Sequence, residues 1–368
     1  MIYDTIFLMS TEKISITSIA PVRIDLAGGT VDIWPLYLLL NEAKTINYGI
    51  NLFAKTSLES EPSSTPGVII ESIDQKKSFH FRWKEILDET NTIAPELILP
   101  VKLLRYFAKE HSHPESLSLV LKTEAKSPAG AGLGGSSALS ISIIGALYKW
   151  LHPTTPLDLE KDGEFLISLT RDVESQVLYG PAGLQDYYGA AFGGLQVMDW
   201  KIAKNARMSL PEATLRELEA RTLLFYSGKS RNSGINNWQL FKGLIDKNLE
   251  IDQKFRKICQ ATQKLEQALL KQDFVSAVHA IREEWETRKT LASGISTPEM
   301  DAAYLRASAI TEIAFKVCGA GGGGCFFVIL PEKDTQLKER VKHAVLQASD
   351  IKHLPFEAVP HGLTVRIQ

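Results

Sequence analysis

The stretch SPAGAGLGGSSALSISI, Ser127 to Ile143, places four glycines and two adjacent serines directly before an apolar run. Glycine lets a backbone take positive φ and approach a ligand closely, so several N–H groups can converge on one anion. A helix that begins at once adds its own unpaired N–H groups and positive dipole end. A phosphate-holding loop that opens a helix is therefore expected, and two common versions of it do not fit. Gly130, Gly132 and Gly135 satisfy G-x-G-x-x-G, but a dinucleotide fold needs a second strand after the helix, and HPTTPLDLEKDG follows instead. The Walker pattern fails too, because no lysine precedes Ser136 and the glycine spacing differs. The hydroxyls of Ser136 and Ser137 could contact a phosphate oxygen, coordinate magnesium, or cap the helix.

Around this loop the chain alternates types of element. KISITSIAPVRIDLAGG reads as strand running into a glycine turn, and GVIIESID with KKSFHFRW as a hairpin. ELILPVKLLRYFAKEH has helical spacing despite Pro100, and LSLVLKTEA is a strand feeding the loop. After the loop helix comes a second helix over LDLEKDGEFLISLTRDVESQVLYG, ended by Gly180 and Pro181. GLQDYYGAAFGGLQVMDW then looks glycine-punctuated and strand-like. Beyond Trp200 the pattern predicts a strand at RTLLFYSG and helices over 236–291 and 298–315. It continues with strand, glycine loop and strand in KVCGAGGGGCFFVIL, a charged helix, and a last strand LTVRIQ. At 368 residues the chain exceeds the usual size of one core, so two α+β domains are expected, over 12–203 and 204–368.

A formal net charge of −2 lacks the basic excess that nucleic acid or an anionic membrane attracts, which makes a small molecule the expected partner. Cys259, Cys318 and Cys325 form no paired C-x-x-C spacing and read as reduced, buried thiols. No run approaches the length of a membrane span and no export signal is evident, so a cytoplasmic location is expected.

Three motifs in order resemble the GHMP kinases, the family of galactokinase, homoserine kinase, mevalonate kinase and phosphomevalonate kinase. PAGAGLGGSSA resembles their phosphate loop, PVRIDLAGGTVD their first motif, and KVCGAGGGGC their glycine-rich third motif. The resemblance implies an α+β two-domain fold, with a ribosomal-protein-S5-like first domain and a ferredoxin-like second one. It also implies ATP as donor with Mg2+, and a loop of Pro128, Gly130, Gly132, Leu133, Gly134, Gly135, Ser136 and Ser137 around the phosphates. Asp186 in GLQDYYGAAFGG matches the family's catalytic base, and Arg23 its partner arginine. Glu174, with Ser136, takes the magnesium-binding place, Asp172 being the weaker substitute. Gly28, Gly29, Asp32, Gln185, Gly321 and Gly322 fall on the acceptor side, as does Arg231 in the polar loop FYSGKSRNS.

Departures narrow the acceptor. Galactokinases carry glutamate where Gly29 stands, which argues against galactose, and R-I-D-L-A-G-G with Q-D-x-Y-x-A-A-F-G-G is closest to the branch of heptose 7-phosphate kinases and fucokinases. The resemblance therefore implies a sugar or sugar phosphate, phosphorylated at its anomeric hydroxyl. Heptose kinases usually read G-K-Q-D-Q-Y, so Leu184 and Tyr187 are replacements expected beside the acceptor. A mevalonate-pathway kinase, a related ATP-dependent decarboxylase and a catalytically silent regulatory relative are the alternatives. Oligomeric state is not legible in the sequence.

Overall fold

The structure, a computed structural model, describes residues 13–40, 42–229, 237–347 and 350–368. The alternating start becomes β1 (Ile14–Ala27), paired antiparallel with β2 (Lys44–Pro62) from Ile14↔Ser60 to Ala27↔Ile46. Pro21, which has no N–H to donate, lies where the register shifts, a position that spares the ladder. The expected hairpin is β3 (Gly67–Ser72) and β4 (Lys77–Phe81). Two helices follow, α1 (Trp83–Leu87) and α2 (Ile98–Glu110). Pro100 falls in the first turn of α2, where its missing N–H would have had no intrahelical partner. Then come β5 (Leu117–Ala125), α3 (Gly135–Leu151), α4 (Leu159–Leu178), α5 (Gln185–Phe192), β6 (Leu195–Asp199) and β7 (Ala206–Ser209).

The second half runs α6 (Glu212–Arg221), β8 (Thr222–Tyr226), α7 (Asn237–Ile245), α8 (Leu249–Leu270), α9 (Phe274–Arg288) and α10 (Pro298–Ser308). It ends with β9 (Ala314–Val317), β10 (Cys325–Ile329), α11 (Thr335–Val345), β11 (Lys352–His353) and β12 (Thr364–Ile367). Two sheets result among the described residues. The larger has the order β12-β1-β2-β5-β3-β4, with β6 and β7 attached through β2, and the smaller is antiparallel in the order β11-β8-β10-β9. That order, with its β-α-β-β-α-β sequence of elements, is the ferredoxin-like arrangement expected of the second half.

Three sequence expectations are corrected. GLQDYYGAAFGG is not strand-like: Gln185–Phe192 is helical and is stopped by Gly193 and Gly194, at φ 62° and 63°. The helix starting at Pro298 ends at Ser308, and Phe315 belongs to β9, whose edge pairs with β10 as Phe315↔Val328. The larger sheet also takes strands from beyond residue 203. β7 pairs with β6, and β12 pairs with β1 as Ile16↔Ile367 to Ile19↔Thr364, because the chain's end completes the edge that β1 would otherwise expose.

α3 is buried nearly all round, with Ala138, Ile141, Ile144 and Leu147 fully inside, as befits a helix between layers. One core runs from β1 and α3 into Phe327 and Ile329 of β10, while Phe326 and Val328, on the opposite face, join Phe225, Trp285 and Phe315 in a second core. No helix among the described residues is long and apolar enough to cross a membrane. The three cysteines are buried and unpaired.

Candidate active site

The glycine loop uses the conformations that only glycine takes without strain: Gly130, Gly132 and Gly134 have φ of 68°, 76° and 75°. Gly134 itself caps α3, and no side chain makes a cap hydrogen bond there. The capping role open to Ser136 and Ser137 is thereby corrected, because both lie inside the first turn, two and three residues past the cap position. Ser136 is exposed and Ser137 buried, so the first turn of α3 presents one accessible hydroxyl. Fully buried Leu133 anchors the loop, and its carbonyl accepts the Arg23 backbone N–H at 3.0 Å.

The third motif supports the loop from behind. Cys325 N–H donates to the Ala131 carbonyl at 2.7 Å, and a Cβ at Gly132 would lie 2.4 Å from the Cys318 carbonyl oxygen. A Cβ at Gly324 would lie 2.6 Å from the Gly130 oxygen, so the two glycine loops touch backbone to backbone. Gly321 and Gly322 face the Ile295 carbonyl, which accepts the Gly322 N–H at 3.0 Å.

Arg23 and Asp186 meet at the open side of the loop. Arg23 Nε and Nη2 both donate to Asp186 Oδ1, at 2.9 and 2.6 Å, while Nη1 donates to the Gly132 carbonyl at 2.7 Å. The guanidinium is 3% exposed and the carboxylate 27%, so an inner cation presents an accessible carboxylate. Asp186 stands in the first turn of α5, where the helix dipole favours a negative charge. Gly189, one turn on, admits the Arg23 stem: a Cβ there would lie 2.9 Å from Arg23 Cβ.

Asp32 joins this group through the backbone. Its Oδ2 accepts the Gln185 N–H at 3.0 Å, and Ile33 bridges to Gly183, which ties the first motif to the start of α5. Burial pushes the Asp32 carboxyl up to about 6, and the Asp186 and Asp25 carboxylates push the same way while the Gln185 N–H opposes. The Gln185 side-chain oxygen is buried without a hydrogen-bond partner among the described residues.

Glu174, projecting from α4, accepts the Tyr187 hydroxyl on Oε2 and also interacts with the Ser136 hydroxyl. Burial raises its pKa, and the Asp186 charge adds to this against the two hydroxyl contacts. Asp172 instead pairs with Arg171 at the surface, 2.7 Å away. Tyr187 and Leu184, expected beside the acceptor, are each 1% exposed, and Tyr187 turns toward Glu174; that expectation is corrected because both side chains complete the packing of α5. Arg231 lies outside the described residues.

Gly28 and Gly29 are filled in by protein. A Cβ at Gly28 would lie 2.0 Å from the Lys44 carbonyl oxygen, and one at Gly29 would lie 2.5 Å from Asp25 Oδ2. Arg288 on α9 donates to the Gly29 carbonyl at 2.7 Å, to Thr30 Oγ1 at 3.2 Å and to the Gly319 carbonyl at 3.0 Å. Neither Arg288 nor Gly189 was singled out from sequence. The signal for Arg288 was present: with Glu284 it continues the stripe Phe274, Ala277, Ile281, which is the buried face of α9.

A glycine phosphate loop on a helix start, with an arginine-held carboxylate at its open side, defines a phosphotransferase that takes its phosphoryl group from a nucleotide. The comparisons agree. Residues 99–194 match the GHMP kinases N terminal domain and residues 265–349 the GHMP kinases C terminal family. The D-glycero-alpha-D-manno-heptose 7-phosphate kinase of Campylobacter jejuni is 29% identical over 325 residues, which cover 86% of this chain and 90% of that one. The L-fucokinase/L-fucose-1-P guanylyltransferase of Bacteroides fragilis is 26% identical, matching 88% of this chain but only 35% of that longer protein. The crystal structure of a D-glycero-D-manno-heptose 1-phosphate kinase from Bacteroides thetaiotaomicron shares the fold, at TM-score 0.71 and 23% identity, covering 95% of this chain and 98% of that one. The chain carries N-terminal and C-terminal GHMP kinase domains and, like the sugar kinases it resembles, is an ATP-dependent phosphotransferase.

Proposed function

We propose that the protein transfers the γ-phosphoryl group of ATP to the anomeric hydroxyl of a sugar or sugar phosphate, with a heptose 7-phosphate-like acceptor favoured. The observation that carries this reading is the Arg23–Asp186 pair. Both guanidinium bonds end on Oδ1, which leaves Oδ2 of a 27% exposed carboxylate for an acceptor hydroxyl. The carboxylate also borders the phosphate loop, since a Cβ at Gly134 would lie 3.3 Å from its carboxyl carbon. The chemistry needs little more than positioning and charge stabilisation. Asp186 orients the hydroxyl and takes its proton as the new bond to the γ-phosphorus forms and the bond to the departing ADP breaks, Arg23 offsets the charge on the oxygen nucleophile, and the amides of Gly134 to Ser137 hold phosphate oxygens.

Glu174 and Ser136 suit magnesium: one carboxylate and one hydroxyl oxygen beside each other, where the cation would keep its remaining places for phosphate oxygens and water. Bound there, it would neutralise charge on the β- and γ-phosphates. Asp32 and Gln185, next to Asp186 and with one buried amide oxygen unpartnered, are the acceptor-side groups. The sugar acceptor is supported by the heptose and fucose kinases among the relatives.

The test is an ATP-consumption screen over heptose phosphates, hexoses, uronic acids and mevalonate, with product analysis. A phosphorylated sugar is expected, and Asp186→Asn should lower turnover by about 10²–10⁴-fold while leaving the affinity for an ATP analogue nearly intact. Substantial turnover in that variant, or carbon dioxide as a product, would overturn the reading.

A further inference from the structure

We propose that Tyr187 is a positioning residue that aims Glu174 at the magnesium of the nucleotide. The inference rests on the kinase reading above. A glutamate on a helix has three side-chain torsions to settle, and a carboxylate that binds a metal needs a partner to fix it. Here the partner is a phenol whose ring is 1% exposed and whose hydroxyl donates to Glu174 Oε2. That bond commits Oε2 and leaves Oε1 as the oxygen for the cation. The bond ties α4, which carries the carboxylate, to α5, where Tyr187 directly follows Asp186. The heptose kinases this chain resembles usually carry glutamine at the position. A rigid ring buried in the core fixes the carboxylate with fewer torsions than a glutamine would.

The experiment titrates Mn2+ into purified full-length protein held in excess over a non-hydrolysable ATP analogue, with unbound Mn2+ read by electron paramagnetic resonance. Wild type, Tyr187→Phe and Glu174→Gln are compared, and analogue binding in EDTA is measured by calorimetry. Tyr187→Phe keeps the ring and removes only the hydroxyl. It is expected to weaken Mn2+ binding by about 10–100-fold while leaving analogue affinity in EDTA unchanged, a split that a general loss of stability would not produce. If Tyr187→Phe binds Mn2+ like wild type while Glu174→Gln does not, the positioning role is wrong and the metal site stands, whatever the melting temperature of the variant. If Glu174→Gln also binds Mn2+ like wild type, Glu174 is not a metal ligand and the inference falls with that part of the kinase reading.

Discussion

Asp32 is the residue whose environment has the most direct energetic consequence. It is 2% exposed, receives one backbone N–H, and shares its surroundings with two other carboxylates, so its carboxyl rises from 3.8 to about 6. Between these values the folded chain binds more protons than the unfolded one, and stability falls as pH rises through that window. The favourable contribution is complete below about 3.8 and gone above about 6. A rise of about two units corresponds to roughly 3 kcal/mol. Asp32→Asn keeps an acceptor for the Gln185 N–H and removes the charge, so it should be indistinguishable in stability from wild type near pH 4 and more stable by up to about 3 kcal/mol at pH 8. Urea unfolding at the two pH values checks this, and an equal gap at both would refute it. If Asp32 grips the acceptor, the same variant should lose affinity for the sugar. The charge is then retained for binding at the expense of stability.

At the scale of elements, what was legible is what local chemistry fixes. Pro128 to Ser137 was readable as a phosphate loop because positive-φ glycines and a helix start are encoded side by side. The strand β1 was readable from its alternation. α5 was not: QDYYGAAF has too few residues to show helical periodicity, and the glycines on both sides read as turns until Gly193 and Gly194 are seen stopping a helix. The serines misled for a related reason, since a left-handed glycine can cap a helix with no side chain at all. This suggests a contrast between two glycines of the same loop. Gly132→Ala would put a side chain at φ 76° with its Cβ 2.4 Å from the Cys318 backbone oxygen, and neither strand of the contact can yield alone. It should cost on the order of 2–4 kcal/mol and weaken ATP-analogue binding. Gly135→Ala meets only the Ser127 hydroxyl, at 2.4 Å, which can rotate away, and its φ is ordinary. Its cost should stay below about 1 kcal/mol. Thermal melts and calorimetry of both variants decide, and equal losses would mean the two loops do not support each other as the geometry requires.

Over the whole molecule, a buried group of four charges joins the two sheets. Lys316 on β9 approaches Asp25 Oδ1 of β1 at 3.0 Å and Glu284 Oε1 of α9 at 3.4 Å, with all three side chains fully buried, and Arg288 lies 3.8 Å from the same glutamate oxygen. Gly28 N–H also donates to Glu284 at 3.2 Å, across 256 residues of sequence. Burial alone would raise the Asp25 carboxyl, but Lys316, Arg288 and Arg23 together hold it down, whereas burial wins at Glu284, the more distant from the lysine. No spacing rule brings Asp25, Glu284, Arg288 and Lys316 together, because only the docking of one half on the other makes them neighbours. The first motif and the third are thus held in register from behind the site, by Arg288 on Gly29 and Gly319. Removing one member of such a group leaves an unpaired buried charge, so Lys316→Met should cost about 3–5 kcal/mol. Adding Asp25→Asn removes the carboxylate that lost its nearest partner, and the double variant should recover part of that loss, a coupling of about 0.5–3 kcal/mol in a double-mutant cycle read by denaturant unfolding. Additive losses would mean that the two charges do not stabilise one another.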